Sequence, residues 1–171
     1  MKDDAAWYEA AFVVGVTNAL NVAAEGLPAL SAGVLTPVDE VRAAEPVAAL
    51  FAEIRAFYAS AEVPAPFRLV ALDPGYARDL WEAVQRAFAP NRLPRPLKEA
   101  LAFAVSLTTR SSWGTQFHGA ELKRLGISER GLLEVLGVTQ MFSSYTKIAD
   151  TLQLESDMGG IAPVDGTPAP G

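Results

Sequence analysis

The 171-residue sequence contains no cysteine and a single histidine, His118. The first absence excludes disulfides, thiolate metal sites, iron–sulfur clusters and any cysteine nucleophile. The second argues against a histidine-built zinc centre within one chain. No acidic cluster has the spacing of a calcium loop or of a paired-metal carboxylate site. Glycine-rich phosphate loops are missing too, since Gly114 and Gly119 fall inside a helical pattern. No metal and no cofactor is therefore expected. Basic residues are few, 14 against 20 acidic ones, and the net charge is −6. Binding nucleic acid through its phosphates needs clustered Lys and Arg, and here they are scattered. Even Lys123 and Arg124 with Arg130 read as a solvated helix face.

A long uninterrupted hydrophobic run is also lacking. Ala10–Ala24 is the most apolar stretch, but Asp3, Asp4 and Glu9 precede it where a signal peptide carries positive charge. Thr17, Asn18 and Asn21 interrupt it, and it falls short of the ~20 residues that span a bilayer. It reads as a helix buried in its own core or in a neighbouring subunit. A cytoplasmic protein without a membrane segment is the expectation.

Half of the residues are apolar and 20% are charged, the balance of a single globular domain. Helical periodicity is nearly continuous, and no segment alternates as a strand does. The fold class is all-α, a bundle of six to eight helices. The first helix runs from Asp4 to Ala24 and stops at Gly26 and Pro28; Leu27–Thr36 is a loop, and a short helix opens at Thr36-Pro37. Pro46 starts a helix with Val47, Leu50, Phe51, Ile54, Phe57 and Tyr58 on one face. A turn of helix follows around Phe67–Leu72. Asp73-Pro74 then opens another helix, ended by Pro90. The centre of the fold is Leu97–Arg110, apolar on nearly all sides except at Ser106. Ser111–Leu125 follows, ending at Gly126. Ser128 caps a short helix to Leu136, Gly137 breaks it, and the last helix carries Val138, Met141, Phe142, Tyr145, Ile148 and Leu152. The domain spans residues 1–155, with a core at 93–154 and a helical extension at 4–90. The Gly- and Pro-rich stretch 156–171 reads as a flexible tail.

Chemistry-bearing residues concentrate beside the most apolar part of the chain. Positions 111, 115, 118, 122 and 125 share one helix face, and Leu122 and Leu125 point that face inward. His118 is thus expected at a pocket wall or in the core. A carboxylate such as Glu99 could orient one ring nitrogen while the other moves a proton. The plainer alternative is a core histidine that simply satisfies Glu99 or a backbone carbonyl. A Ser111–His118 nucleophile is rejected, because seven residues of helix separate them by roughly 10 Å. Ser111 or Ser112 is a helix cap instead. Trp113 with Phe117, and Phe142 with Tyr145, read as packing, although the Tyr145 hydroxyl could reach a pocket.

The segment from Leu93 to about Leu154 resembles the AhpD-like core shared by alkylhydroperoxidase-type proteins and carboxymuconolactone decarboxylases. The pattern is a glutamate, eleven residues, then C-x-x-C-x-x-x-H and a Gly-hydrophobic-Ser turn. Glu99 and His118 stand in the glutamate and histidine places, and Gly126-Ile127-Ser128 fits the turn. Ser111 and Gly114 occupy the two cysteine places. The resemblance implies a proton relay, Glu99 and His118, that serves a cysteine pair in peroxide reduction. Without the pair, that peroxidase chemistry has no redox centre. Val47–Arg55 and Val63–Pro74 resemble helices upstream of the core in longer members. The latter also resembles group I 2-haloacid dehalogenases, whose catalytic aspartate matches no residue here.

Three functions stay open on this reading. The chain could carry out proton transfer on a small carboxylate or lactone, as the decarboxylase branch implies, with His118 and Glu99 catalytic. Ser111, Thr115, Tyr145 and Arg110 would then line the substrate, and Arg68, Arg110 and Lys147 are the candidate anion ligands. It could instead be a non-catalytic relative that binds a ligand or partner. A true hydroperoxidase fits least. The resemblance also implies a homo-oligomer, from dimer to trimer or hexamer, which the apolar first and last helices suit.

Overall fold

The structure, a computed structural model, describes residues 4–30 and 35–153. Seven helices account for the regular structure there: α1 (Asp4–Leu30), α2 (Val47–Tyr58), α3 (Ala65–Val70), α4 (Pro74–Phe88), α5 (Arg95–Thr108), α6 (Ser112–Arg124) and α7 (Glu129–Leu152). Strands are absent among the described residues. The chain is an all-α single domain, as its periodicity predicts. The expected tail, 156–171, lies outside the described residues.

Apolar spacing explains the core. On α2, Val47, Leu50, Phe51, Ile54 and Tyr58 are buried; on α4, Ala77, Leu80, Trp81, Val84, Ala87 and Phe88 are. Each stripe follows the three-four rhythm that gathers residues on one helical face. Trp81, Phe51, Phe67 and Phe88 are fully enclosed. Side chains of this class each contribute about 1.5–3 kcal/mol on burial. Trp81 meets Phe57 and Phe67 edge to face at 5.3 and 5.6 Å. Asp73 accepts from the Tyr76 amide to cap α4, with Pro74 at its first position. The central α5 packs against α1, α4, α6 and α7, while α1 also touches α3, α4 and α6.

Three boundaries differ from the sequence reading. Helix α1 does not stop at Ala24; it continues to Leu30. Its Glu25 accepts hydrogen bonds from Ser111 Oγ and the Trp113 amide, both at 3.0 Å, so tertiary contacts hold the helix past the stop signal. No helix forms at Thr36-Pro37; instead, Asp39 Oδ1 accepts from the Val41 amide at 2.9 Å and sets a turn. Gly137 does not break the last helix, which runs unbroken as α7. An interior glycine costs a helix roughly 1 kcal/mol, too little to end one of this length.

Candidate functional site

Helices α5 and α6 lie side by side and bring Glu99 and His118 together. Glu99 Oε2 lies 2.7 Å from His118 Nδ1, and both side chains are fully buried. On the same carboxylate, Oε1 accepts from Arg95 Nε at 2.7 Å. Arg95 Nη2 lies 3.7 Å from Glu121 Oε2. Glu121 in turn accepts two bonds from Arg124, at 2.9 and 2.7 Å. The result is a row of alternating charges, Arg124, Glu121, Arg95 and Glu99, that descends from the surface and ends on the imidazole. Paired and hydrogen-bonded in this way, the buried charges avoid most of their desolvation cost.

Aromatic rings enclose the end of this row. Phe88 stacks on the His118 ring at 5.8 Å, and Phe117 and Trp113 meet it edge-on at 5.3 and 6.2 Å. The Arg95 guanidinium sits over Phe57 at 4.6 Å and Phe88 at 5.2 Å. Three polar atoms in this region are buried with no hydrogen-bond partner: His118 Nε2, the Tyr58 hydroxyl and Arg95 Nη2. Burial, above all, pushes the Tyr58 hydroxyl far above its ordinary pKa, and the Glu99 charge adds to the effect. Chemically, an imidazole oriented through Nδ1 with an unengaged Nε2 can accept or donate a proton. In a single subunit, however, its relative exposure is 0%.

The two places that the resemblance gives to cysteine are closed by α1. Ser111 caps α6, accepting from the Gly114 amide at 3.0 Å and donating to Glu25 Oε1. Hydrogen bonds from the Trp113 amide and the Ser111 hydroxyl hold the Glu25 carboxyl below its ordinary pKa. Its negative charge also suits the positive end of α6. At Gly114 the room for a side chain is taken: a Cβ built there would lie 2.2 Å from Asn21 Oδ1 and 2.4 Å from Ser106 Oγ. Asn21 Nδ2 donates to Ser106 Oγ at 3.2 Å and Thr109 Oγ1 at 3.1 Å, which fixes the amide in that space.

The remaining candidates do not converge on His118. Thr115 is half-buried on α6. Arg110 and Tyr145 are exposed and line two grooves along α7, neither of which includes Glu99 or His118. Lys147 shares the groove of Arg110, whereas Arg68 lies 3.9 Å from Glu40. Among the described residues no cluster of His, Asp and Glu could hold a metal, and no helix is long and apolar enough to cross a membrane.

Sequence reasoning missed Arg95, Glu121, Asn21, Glu25 and Tyr58. Arg95 was within reach of it, since it stands four residues before Glu99 on one helix face. Glu121 likewise stands three before Arg124. Asn21 and Glu25 left no such signal, because they meet α5 and α6 from more than 80 residues away.

A family model described as "Carboxymuconolactone decarboxylase family" matches residues 74–154. The fold is similar to that of the alkylhydroperoxidase AhpD core from Rhodospirillum rubrum, with a TM-score of 0.70 at 23% identity. That match covers 78% of this chain and 100% of the other. No curated protein matches the sequence.

Proposed function

Because residues 74–154 match the carboxymuconolactone decarboxylase family model while the chain has no cysteine, we propose that it is a non-redox relative of that family that works by binding, as a homo-oligomer, rather than by turnover. The observation that carries this reading is the state of the four positions where chemistry would be sought. Glu99 and His118 are fully enclosed, Ser111 is spent on a helix cap and on Glu25, and the space at Gly114 is filled by Asn21 and Ser106. The Arg95–Glu99–His118 array then acts as a polar keystone that fixes α5 against α6.

Assembly draws support from α7. None of its residues is buried. Val138, Met141, Tyr145, Ile148 and Leu152 repeat at alternating spacings of three and four, and each is more than half exposed. That is the seam pattern of a helix that packs on another helix. A contiguous apolar stripe of this kind marks an interaction surface.

A second reading is favoured by one observation, the unpartnered Nε2 of His118. Here the Glu99–His118 pair transfers a proton to or from a small carboxylate or lactone, and Nε2 is the atom that carries it. The two readings part in deuterated water. Incubation with organic hydroperoxides and with small carboxylic lactones is expected to give no consumption and no enzyme-dependent deuterium in carbon–hydrogen bonds. Deuterium incorporation that vanishes in His118→Ala would establish the second reading and overturn the first.

A further inference from the structure

A groove lies away from His118, between the end of α5 and the middle of α7. It has a volume of about 970 Å³, at the upper end of what small-molecule sites occupy. Leu107, Leu136 and Ile148 supply apolar lining. Two cations, Arg110 and Lys147, stand in the same lining. Neither side-chain charge has an ion-pair or hydrogen-bond partner among the described residues. This contrasts with Arg55, Arg78, Arg95, Lys98 and Arg124, all engaged by carboxylates. In a protein of net charge −6, two unpaired cations facing one apolar groove are a local reversal of field.

The hydroxyls around the groove narrow the ligand chemistry. Thr108, Thr139, Ser144 and Thr146 each donate to a carbonyl of their own helix. Their hydrogens are spent, which leaves the Ser143 hydroxyl and the Gln140 amide as the uncharged side-chain donors in the lining. The two cations are the charged donors of the groove. Leu136 stands eleven residues before Lys147, about 16 Å along the helix axis. We propose that this groove binds an amphipathic monocarboxylate, its head group between Arg110 and Lys147 and its hydrocarbon running along α7 toward Leu136. The site rests on the binding reading above and gives it a ligand class.

Decanoate is the probe, titrated calorimetrically against the full-length protein with decanol as the neutral control. Arg110 adopts a left-handed backbone, φ 58°, so Arg110→Asn is the substitution that keeps the turn. Lys147→Gln removes the second charge from an exposed helical position. The expected result is saturable decanoate binding, weakened about fivefold by either substitution and about twentyfold by both. Decanol should bind more weakly, with no change in the variants. Equal affinity for decanoate and decanol, or undiminished decanoate binding in the double variant, overturns the site. So does a shift in sedimentation with the double variant and no decanoate binding by wild type, which would make the groove a contact between copies. Failure of this kind leaves the deuterium test untouched, so loss of the groove and loss of the non-catalytic reading are distinguishable.

Discussion

Replacing Gly114 by alanine should destabilise the protein strongly, although the same change in most exposed helices is favourable. Gly114 is buried on α6, and its substitution gains up to about 1 kcal/mol of helix propensity. Against this stands the space itself. The added methyl would sit 2.2 Å from Asn21 Oδ1, 2.4 Å from Ser106 Oγ and 3.0 Å from Ser106 Cβ. Neither neighbour is the loose end of a long side chain, since Asn21 is 3% exposed and Ser106 0%. Overpacking of this kind costs about 1–3 kcal/mol. Displacing the Asn21 amide also breaks its bonds to Ser106 and Thr109, at about 1–3 kcal/mol for each buried group left unsatisfied. The net loss is about 2–4 kcal/mol, a large part of a typical domain's stability. Urea unfolding of Gly114→Ala, Asn21→Ala and the double variant measures it. The double should be more stable than the sum of the singles implies, by about 2 kcal/mol. A neutral or stabilising Gly114→Ala, or strictly additive singles, refutes the claim that α1 fills this place.

Other expectations follow from the same contacts. Glu99→Ala leaves Arg95 without its carboxylate and should cost about 3–5 kcal/mol by thermal or urea unfolding; Glu99→Gln should cost less. Glu25 and Glu53 have carboxyl pKa values held below their ordinary 4.5. For Glu53 the Arg78 guanidinium is the leading cause, followed among the lowering contacts by the Trp81 indole. Their stabilisation is therefore complete above about pH 4.5 and is lost as pH falls through the depressed values. Glu25→Gln should flatten that acid limb in a pH series of melts while leaving the neutral range lowered. Met141→Glu with Ile148→Glu should shift sedimentation to a smaller species without unfolding the subunit, because both residues are more than half exposed.

Much of the fold was legible because it follows local rules. The stripes on α2 and α4, the Asp73 cap and the Ser111 cap all express spacing and hydrogen-bond chemistry within a few residues. Two of the three boundary errors share one cause, while at Thr36-Pro37 the turn set by Asp39 took the place of a helix start. Gly26, Pro28 and Gly137 are stop signals by propensity, and tertiary contact or mere helix length overrode them. The site was half legible. The Glu99–His118 approach follows from the spacing of the AhpD-like pattern that the sequence resembles, and Arg95 follows from helix geometry. What sits opposite Ser111 and Gly114 does not, because Asn21 and Glu25 arrive on a helix far away in sequence. A missing side chain reads as an empty place in one dimension; in three it is occupied.

Closure of the site around His118 is the central claim, and the single histidine makes it directly measurable. Native protein treated with diethyl pyrocarbonate and analysed by mass spectrometry should show no modification at His118, with full modification once urea unfolds the chain. Stoichiometric modification of the folded protein, suppressed by a small carboxylate, would contradict the account and show an open imidazole at a ligand site.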